Sequence, residues 1–438
     1  MLESSLTIEN FYWDGDTFRP TLPTDLAPAG RDELVRALAR IDGQFAIARQ
    51  DGPRTLLARG KRGVNKLFFA IRSDGTVVTG NYVIDLIRQG VPFAAIYSVP
   101  SGHFTIIDAE RQSLDTVRYH EPAIRPQLGS PARIRDALET WFGRMARDLG
   151  DREVRLCLSG GIDSSLIGIM ACLHFDKVTA YTYGYVDDED ENAESDDVVH
   201  ARRMAQHLSI PLHFVPATRD DILGCIDDAL VYGQDWRDFN VHCAIVNLLL
   251  ARAMAAHGGT SLLMTGDQMN EIVADYTPVE YGGQQYYRLP KLSPDALRLA
   301  LMAGLDSGDR EVGVFHHHGL AAMQPYGLVV DEYCGVPSLE LARAGGKQAL
   351  VDKIAGDLLP TFIRDRRKVR AQIGMADRPT GILPLLIDSG HDAAWLKTAW
   401  RERFGVDDIR RQNLFIRDGI YKWAKALPRS SQDGYLTD

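Results

Sequence analysis

Residues 154–165 read Val154-Arg155-Leu156-Cys157-Leu158-Ser159-Gly160-Gly161-Ile162-Asp163-Ser164-Ser165. The apolar run Leu156 to Leu158 predicts a strand, and the two glycines predict a sharp turn opening a helix from Ser164 to Cys172. Gly160 and Gly161 lack a Cβ, so backbone can turn tightly and approach a ligand. The free N–H groups of the new helix and its dipole then face an anion. Ser159, Ser164 and Ser165 add hydroxyl donors, and Asp163 is suited to a magnesium ion that bridges phosphates. No lysine follows the glycines, which excludes the GxxxxGK[ST] P-loop. The plainer alternative is a glycine-rich strand-to-helix turn of an α/β domain.

The chain has 438 residues, long enough for two to three domains and a sizeable core. It is 45% hydrophobic and 25% charged, as ordinary globular proteins are, and its formal net charge of −10 argues against a nucleic-acid footprint. Five cysteines, none in a C-x-x-C pair, indicate neither a zinc ribbon nor a redox motif. Cys157 and Cys172 sit among apolar residues and read as core. No signal peptide and no run of about 18 apolar residues is evident, so the expectation is a cytoplasmic protein without a membrane span.

Working outward, residues 44–108 read as β-rich. Short runs (Gln44 to Ala48, Thr55 to Ala58, Leu67 to Ile71, Thr76 to Thr79, His103 to Ile107) are separated by turn signals such as Asp51-Gly52 and Asp74-Gly75. This predicts an antiparallel meander or half-sandwich, with helices near 31–40 and 81–88. Prolines and glycine in 121–131 mark a linker between a unit at 1–120 and one at 132–438. Ile134, Leu138, Trp141, Met145 and Leu149 recur at helical spacing. Beyond the glycine turn, strands at Val178 to Tyr183, Leu212 to Val215 and Leu262 to Thr265 alternate with helices at Val198 to Leu208 and Cys243 to Ala256. That pattern predicts a parallel sheet. Eight acids in residues 187–197 read as a solvated loop entering a helix, and the chain after about 285 reads as mostly helical.

The Ser159-to-Ser165 segment resembles the pyrophosphate loop of N-type ATP pyrophosphatases, which split ATP between the α and β phosphates. Over residues 36–425 the chain resembles the asparagine synthetase B family, which includes β-lactam synthetase. Thr265-Gly266-Asp267-Gln268-Met269-Asn270-Glu271 falls where that family has S-G-x-G-A-D-E. Leu359-Pro360, Ile363, Arg366 and Lys368 match its L-P-x-x-I-x-x-R-x-K, and Gln324-Pro325-Tyr326 resembles R-x-P-F loosely. Asp42-Gly43-Gln44-Phe45-Ala46, Ala58-Arg59 through Phe69, and Val99-Pro100-Ser101-Gly102-His103 resemble segments of its glutamine amidohydrolase domain.

The resemblance implies an α/β fold: a β-rich Ntn-hydrolase-like remnant, then a parallel-sheet adenine nucleotide α-hydrolase-like synthetase domain with a mostly helical end. It implies ATP and Mg2+. Leu158, Ser159, Gly160, Gly161, Asp163, Ser164 and Gly266 would bind nucleotide. Asp163, Asn270 and Glu271 would hold the metal, and Lys368 would stand near the α-phosphate and acyl-adenylate.

The departures from the family matter as much. Leu2 stands where the glutaminases have a nucleophilic cysteine, no cysteine precedes Cys157, and the stretch before Val99 is short. Without a thiolate no thioester with glutamine forms, so residues 1–120 are expected to be a structural remnant. Asn270 replaces a metal-binding aspartate, and an amide oxygen is the weaker ligand for a hard cation. The acid–base glutamate of the family falls at Ala321 and its arginine at Met323. The tyrosine that pairs with that glutamate in β-lactam synthetase falls at Asp267, which leaves Asp267 as the carboxylate for general-base work.

The expected activity is an amide synthetase: adenylation of a carboxylate, release of pyrophosphate, then attack by ammonia, a small amine or an amine of the same substrate. Its setting would be specialised metabolism, and its partners small molecules rather than nucleic acid, with a homodimer left open. The rivals are a tRNA- or nucleobase-modifying pyrophosphatase and a non-catalytic ATP-binding scaffold. His316-His317-His318 reads as packing or a substrate contact more readily than as a metal site, because neighbouring side chains diverge. Tyr276, Tyr281, Tyr286 and Tyr287 read equally as pocket wall and as packing.

Overall fold

The computed structural model describes residues 1–19, 30–120, 130–186, 195–259, 261–273, 275, 278–287, 312–336, 341, 346–366, 371 and 381–406. The side chains of Glu271 and Cys334 are outside the description. Also outside it lie most of the proposed linker, most of the acidic segment, Tyr276 and Lys368.

The glycine turn sits on the central strand of a parallel sheet. Its strands are β12 (Glu153–Cys157), β13 (Val178–Tyr185), β14 (Leu212–Ala217), β15 (Ser261–Met264) and β18 (Ala321–Met323), in the order β14-β13-β12-β15-β18. Val154 pairs with Val178 on one side and Leu262 on the other, all in parallel register. The chain therefore builds outward from β12 in one direction, then returns to its other side with β15. That reversal opens a crevice at the carboxyl ends of β12 and β15, where open α/β sheets bind ligands.

Two helices frame the crevice. Helix α4 (Ile162–His174) starts at the glycine turn, and its residues Ser164 to Ala171 are all buried. Helix α8 (Asp238–Ala256) packs against β13 and β14. By length and mean hydropathy of 1.4, α8 would pass as a membrane span, although Asp238, Asn240, His242, Asn247 and Arg252 interrupt its apolar residues, in keeping with the expectation that no unbroken apolar run of that length exists. It is 61% buried within the protein, which accounts for its apolarity as that of a core helix.

The β-rich amino-terminal part matches its expected class but not each strand. β5 (Ala46–Asp51), β6 (Arg54–Arg59), β10 (His103–Asp108) and β11 (Ser113–Arg118) form an antiparallel sheet in the order β11-β10-β6-β5. A second sheet has the order β1-β8-β7-β9, from β1 (Leu2–Ser5), β7 (Phe68–Ile71), β8 (Val77–Gly80) and β9 (Tyr97–Ser98). β1 pairs parallel with β8 and gave no sequence signal, because Leu-Glu-Ser-Ser has no apolar alternation. The three-residue β18 was likewise missed inside a stretch read as helical. Its burial comes from its neighbours and not from its own pattern.

The amino-terminal part shares its core with the sheet domain. Phe68, Tyr82, Leu86 and Phe93 belong to one apolar cluster with Ile245, Leu248 and Leu249 of α8. Phe11 and Trp13 pack with Ile134, Leu138 and Phe142 of the helix Pro131–Leu149. Buried hydrogen bonds cross the same boundary: the Tyr82 hydroxyl donates to Gly313 O (2.6 Å), and Gln44 Nε2 donates to Ala322 O (2.8 Å).

The histidine run diverges into packing roles. His316 Nε2 accepts the Ala322 N–H (2.9 Å), and His317 stacks on Tyr232 at 3.4 Å. Burial pushes His316 down to about 4 and His242 of α8 down to about 3. Both rings are neutral in the fold and regain an ordinary value near 6.5 when unfolded. Stability is thus at its plateau above pH 6.5 and falls as the pH drops toward 4, by up to about 1.4 kcal/mol per pH unit for each ring. Urea unfolding at pH 7, 6, 5 and 4 should show a shallower fall in His316→Asn than in the wild type. An unchanged slope would remove His316 from this account.

Candidate active site at the sheet switch point

The loop after β12 is tied by its own hydroxyls. Ser159 and Ser164 lie Oγ to Oγ at 3.1 Å, and the Gly161 N–H donates to Ser159 Oγ at 3.3 Å. Gly160 has φ +66, and a Cβ there would lie 2.5 Å from the backbone of His200 and Ala201. The turn is therefore pressed against helix α5 (Asp196–Leu208), which only glycine allows. Arg366 closes the arrangement from outside. Its Nη1 donates to Ser159 O (2.9 Å), and its Nη2 pairs with Asp197 at the start of α5. Burial pushes the Asp197 carboxyl above its usual value, and the Arg366 charge opposes that.

The second loop follows β15. Gly266 faces Ser164: a Cβ would come within 2.6 Å of its backbone nitrogen. Asp267, whose N–H reaches Thr265 Oγ1 at 3.4 Å, lines the cleft, as does Asn270. The Asp267 charge and, more strongly, burial raise the Cys157 thiol well above its ordinary value, so Cys157 is a neutral wall residue and no nucleophile.

Between the loops stands a residue that the sequence reading did not single out. Lys347 Nζ donates to Asp163 Oδ2 (2.7 Å) and Asn270 Oδ1 (2.8 Å), with Asp275 Oδ2 at 3.6 Å. Lys347 is 7% exposed. It is the second residue of the helix Gly346–Ala355, where a cation opposes the helix dipole. A lysine in so unfavourable a place, after two glycines, was the available signal. Two of the three residues expected to hold metal, Asp163 and Asn270, are thus brought together. Asp163 Oδ1 is buried without a hydrogen-bond partner, so one carboxylate oxygen remains suited to a hard cation.

The cleft measures about 550 Å³, within the ~300–1,000 Å³ range of small-molecule sites. The loops give it a polar side with Ser159, Asp163, Asp267 and Lys347, and α8 gives it Phe239, Val246 and Leu250 beside Cys243 and Asn247. Leu158, Gly161, Ser164 and Gly266 also line it. Tyr281, Tyr286 and Tyr287 do not; Tyr286 and Tyr287 pack with Leu383 in a separate cluster, with Tyr281 against it.

Residues 134–304 match the asparagine synthase family model. That stretch, less than half of the chain, is similar to the asparagine synthase family. It is 21% identical to the glutamine-hydrolyzing asparagine synthetase of Rattus norvegicus over 270 residues, which are 56% of this chain and 47% of that one. It is 24% identical to a probable asparagine synthetase of Schizosaccharomyces pombe over 261 residues, 54% of this chain and 44% of that one. The chain thus spans about half the length of the curated relatives it matches. Among solved structures, an NMN synthetase from Francisella tularensis aligns with 14% identity and a TM-score of 0.33, covering 66% of this chain and 99% of that one.

The close approach at Gly160 is testable against Gly258, which has a similar φ of +64 but open space around its Cβ position. Gly258→Ala should cost only the left-handed strain, about 1–2 kcal/mol. Gly160→Ala should cost clearly more in urea unfolding, because backbone must also move. Equal costs would mean that the loop is not pressed against α5.

Proposed function

We propose that the protein is an ATP-dependent carbon–nitrogen ligase that forms AMP and pyrophosphate. The observation that carries this reading is the meeting of the Ser159–Ser164 loop, the Gly266 loop and Lys347 in one cleft. Donors and a cation face the place where phosphate charge would lie, and the α8 side leaves an apolar flank for the uncharged parts of an acyl-adenylate.

A substrate carboxylate oxygen attacks the α-phosphorus, the bond to the bridging oxygen breaks, and pyrophosphate leaves. An amine then attacks the acyl carbon, AMP leaves with its electron pair, and the amine loses a proton. Lys347 and the helix N-terminus stabilise the charge that grows on the leaving pyrophosphate. Asp163 and Asn270, with Glu271 next to them in sequence, would hold Mg2+, which supplies further charge neutralisation when bound. Lys368 follows Arg366, a cleft residue, by two positions and is assigned to the α-phosphate side. Asp267 is assigned the amine's proton. Residues 1–156 contain no cysteine, which favours free ammonia, a small amine or an intramolecular amine over glutamine. A substrate other than aspartate, in specialised biosynthesis, fits the altered acid–base residues.

Screening carboxylates for amine-dependent turnover should yield AMP and pyrophosphate, and Asp163→Ala should lower the rate by at least about a hundredfold. ADP and phosphate as products would sink the assignment. Asp267→Asn should leave carboxylate-dependent ATP–pyrophosphate exchange largely intact while amide formation collapses. Loss of both activities together would assign Asp267 to the metal instead. Incubation with glutamine should release no glutamate, and release that persists through purification would return glutamine as the donor.

A further inference from the structure

The loop that carries Asp267 and Asn270 is held in a strained shape from outside. Gln268 has φ +75, in the left-handed region that strains a non-glycine residue. In the pattern S-G-x-G-A-D-E this position is the second glycine. The Gln268 side chain is buried, and its Nε2 donates to Oε1 of Gln324 at 2.5 Å. Gln324 is itself fully buried. Three residues on, Gly327 leaves the space that the Gln268 amide fills: a Cβ on Gly327 would lie 1.6 Å from Gln268 Oε1. Tyr326, between them, donates its hydroxyl to Asp163 O at 2.8 Å. Burial holds that phenol far above its ordinary value, so it stays a donor. One turn, Gln324-Pro325-Tyr326-Gly327, therefore touches both loops of the cleft. The strand leading into it, β18, is tethered by Gln44 from the amino-terminal part and by His316.

We propose that this turn is a clamp that fixes the two loops relative to one another, with Gln324 a positioning residue that acts on Asp267 and Asn270 through Gln268. The inference rests on the nucleotide-binding reading of the cleft. A glycine at 268 would hold the left-handed shape without help. A glutamine holds it only while its amide has a partner, because a buried unpaired amide adds its own penalty. The fit of the loop is thus conditional on β18 and the turn behind it.

The test is calorimetric binding of α,β-methylene-ATP with magnesium to the full chain and four variants. Gln324→Leu should weaken binding about tenfold, the scale of one lost support for a strained residue. Gly327→Ala should do the same from the other side, by pushing on Gln268. Gln268→Gly should return both, as the double variants, to within about threefold of the wild type, because glycine needs neither partner nor space. Thermal melts report folding separately; Gly327→Ala tests the clamp even if Gln324→Leu fails to fold. Failure of the wild type to bind would overturn the nucleotide reading and the clamp with it. Wild-type binding with unchanged single variants would overturn the clamp alone. So would double variants as weak as the singles.

Discussion

The approach that joins the two loops is backbone to backbone: at Gly266, a Cβ would meet Ser164 N at 2.6 Å. The loop after β15 lies directly on the first turn of α4, and everything chemical in the cleft depends on that contact. It places Asp163 from one loop and Asn270 from the other within reach of a single ammonium. It is possible only because β12 and β15 are hydrogen-bonded neighbours, although the paired Glu153 and Ser261 lie 108 positions apart in the sequence. The sheet order, not the loop sequence alone, makes the site.

The amino-terminal part contributes to that site by packing. Its apolar side chains are continuous with α8 in one cluster and with the helix before β12 in another. Removing it would expose both core faces, at roughly 25 cal/mol for each Å² of apolar surface returned to water. Gln44 shows how far the support reaches, since its amide holds the backbone of Ala322 two residues before Gln324. The amino-terminal part thus has a packing role toward the cleft, whatever chemistry it does or does not carry.

What could be read from the sequence was local. Ser159 to Ser165 declares a strand, a turn and a helix within one short window, and the parallel alternation after it follows from apolar runs of ordinary length. β18 was not legible: Ala-Ala-Met becomes a strand because β15 offers an edge. Lys347 offered only the local signal of a cation after two glycines; its partners come from residues 163, 270 and 275, and no spacing rule links them. The loose match at Gln324-Pro325-Tyr326 hid a pairing with Gln268 that only coordinates reveal. The residues sequence reasoning missed are those whose role depends on long-range contact.

Lys347 sets a charge balance in which an amide at position 270 fits. Its ammonium is shared between the Asp163 and Asp275 carboxylates and the Asn270 amide. An aspartate at 270 would have placed a third carboxylate around one cation in a buried site, an arrangement costly without a metal. Asparagine keeps an oxygen directed at the same point without the extra charge. On the ligase reading, the charge of a triphosphate would attract the ammonium away from Asp163 Oδ2, and both oxygens of that carboxylate would then suit a magnesium ion. Substrate charge would then decide whether lysine alone, or lysine together with a metal, neutralises the site.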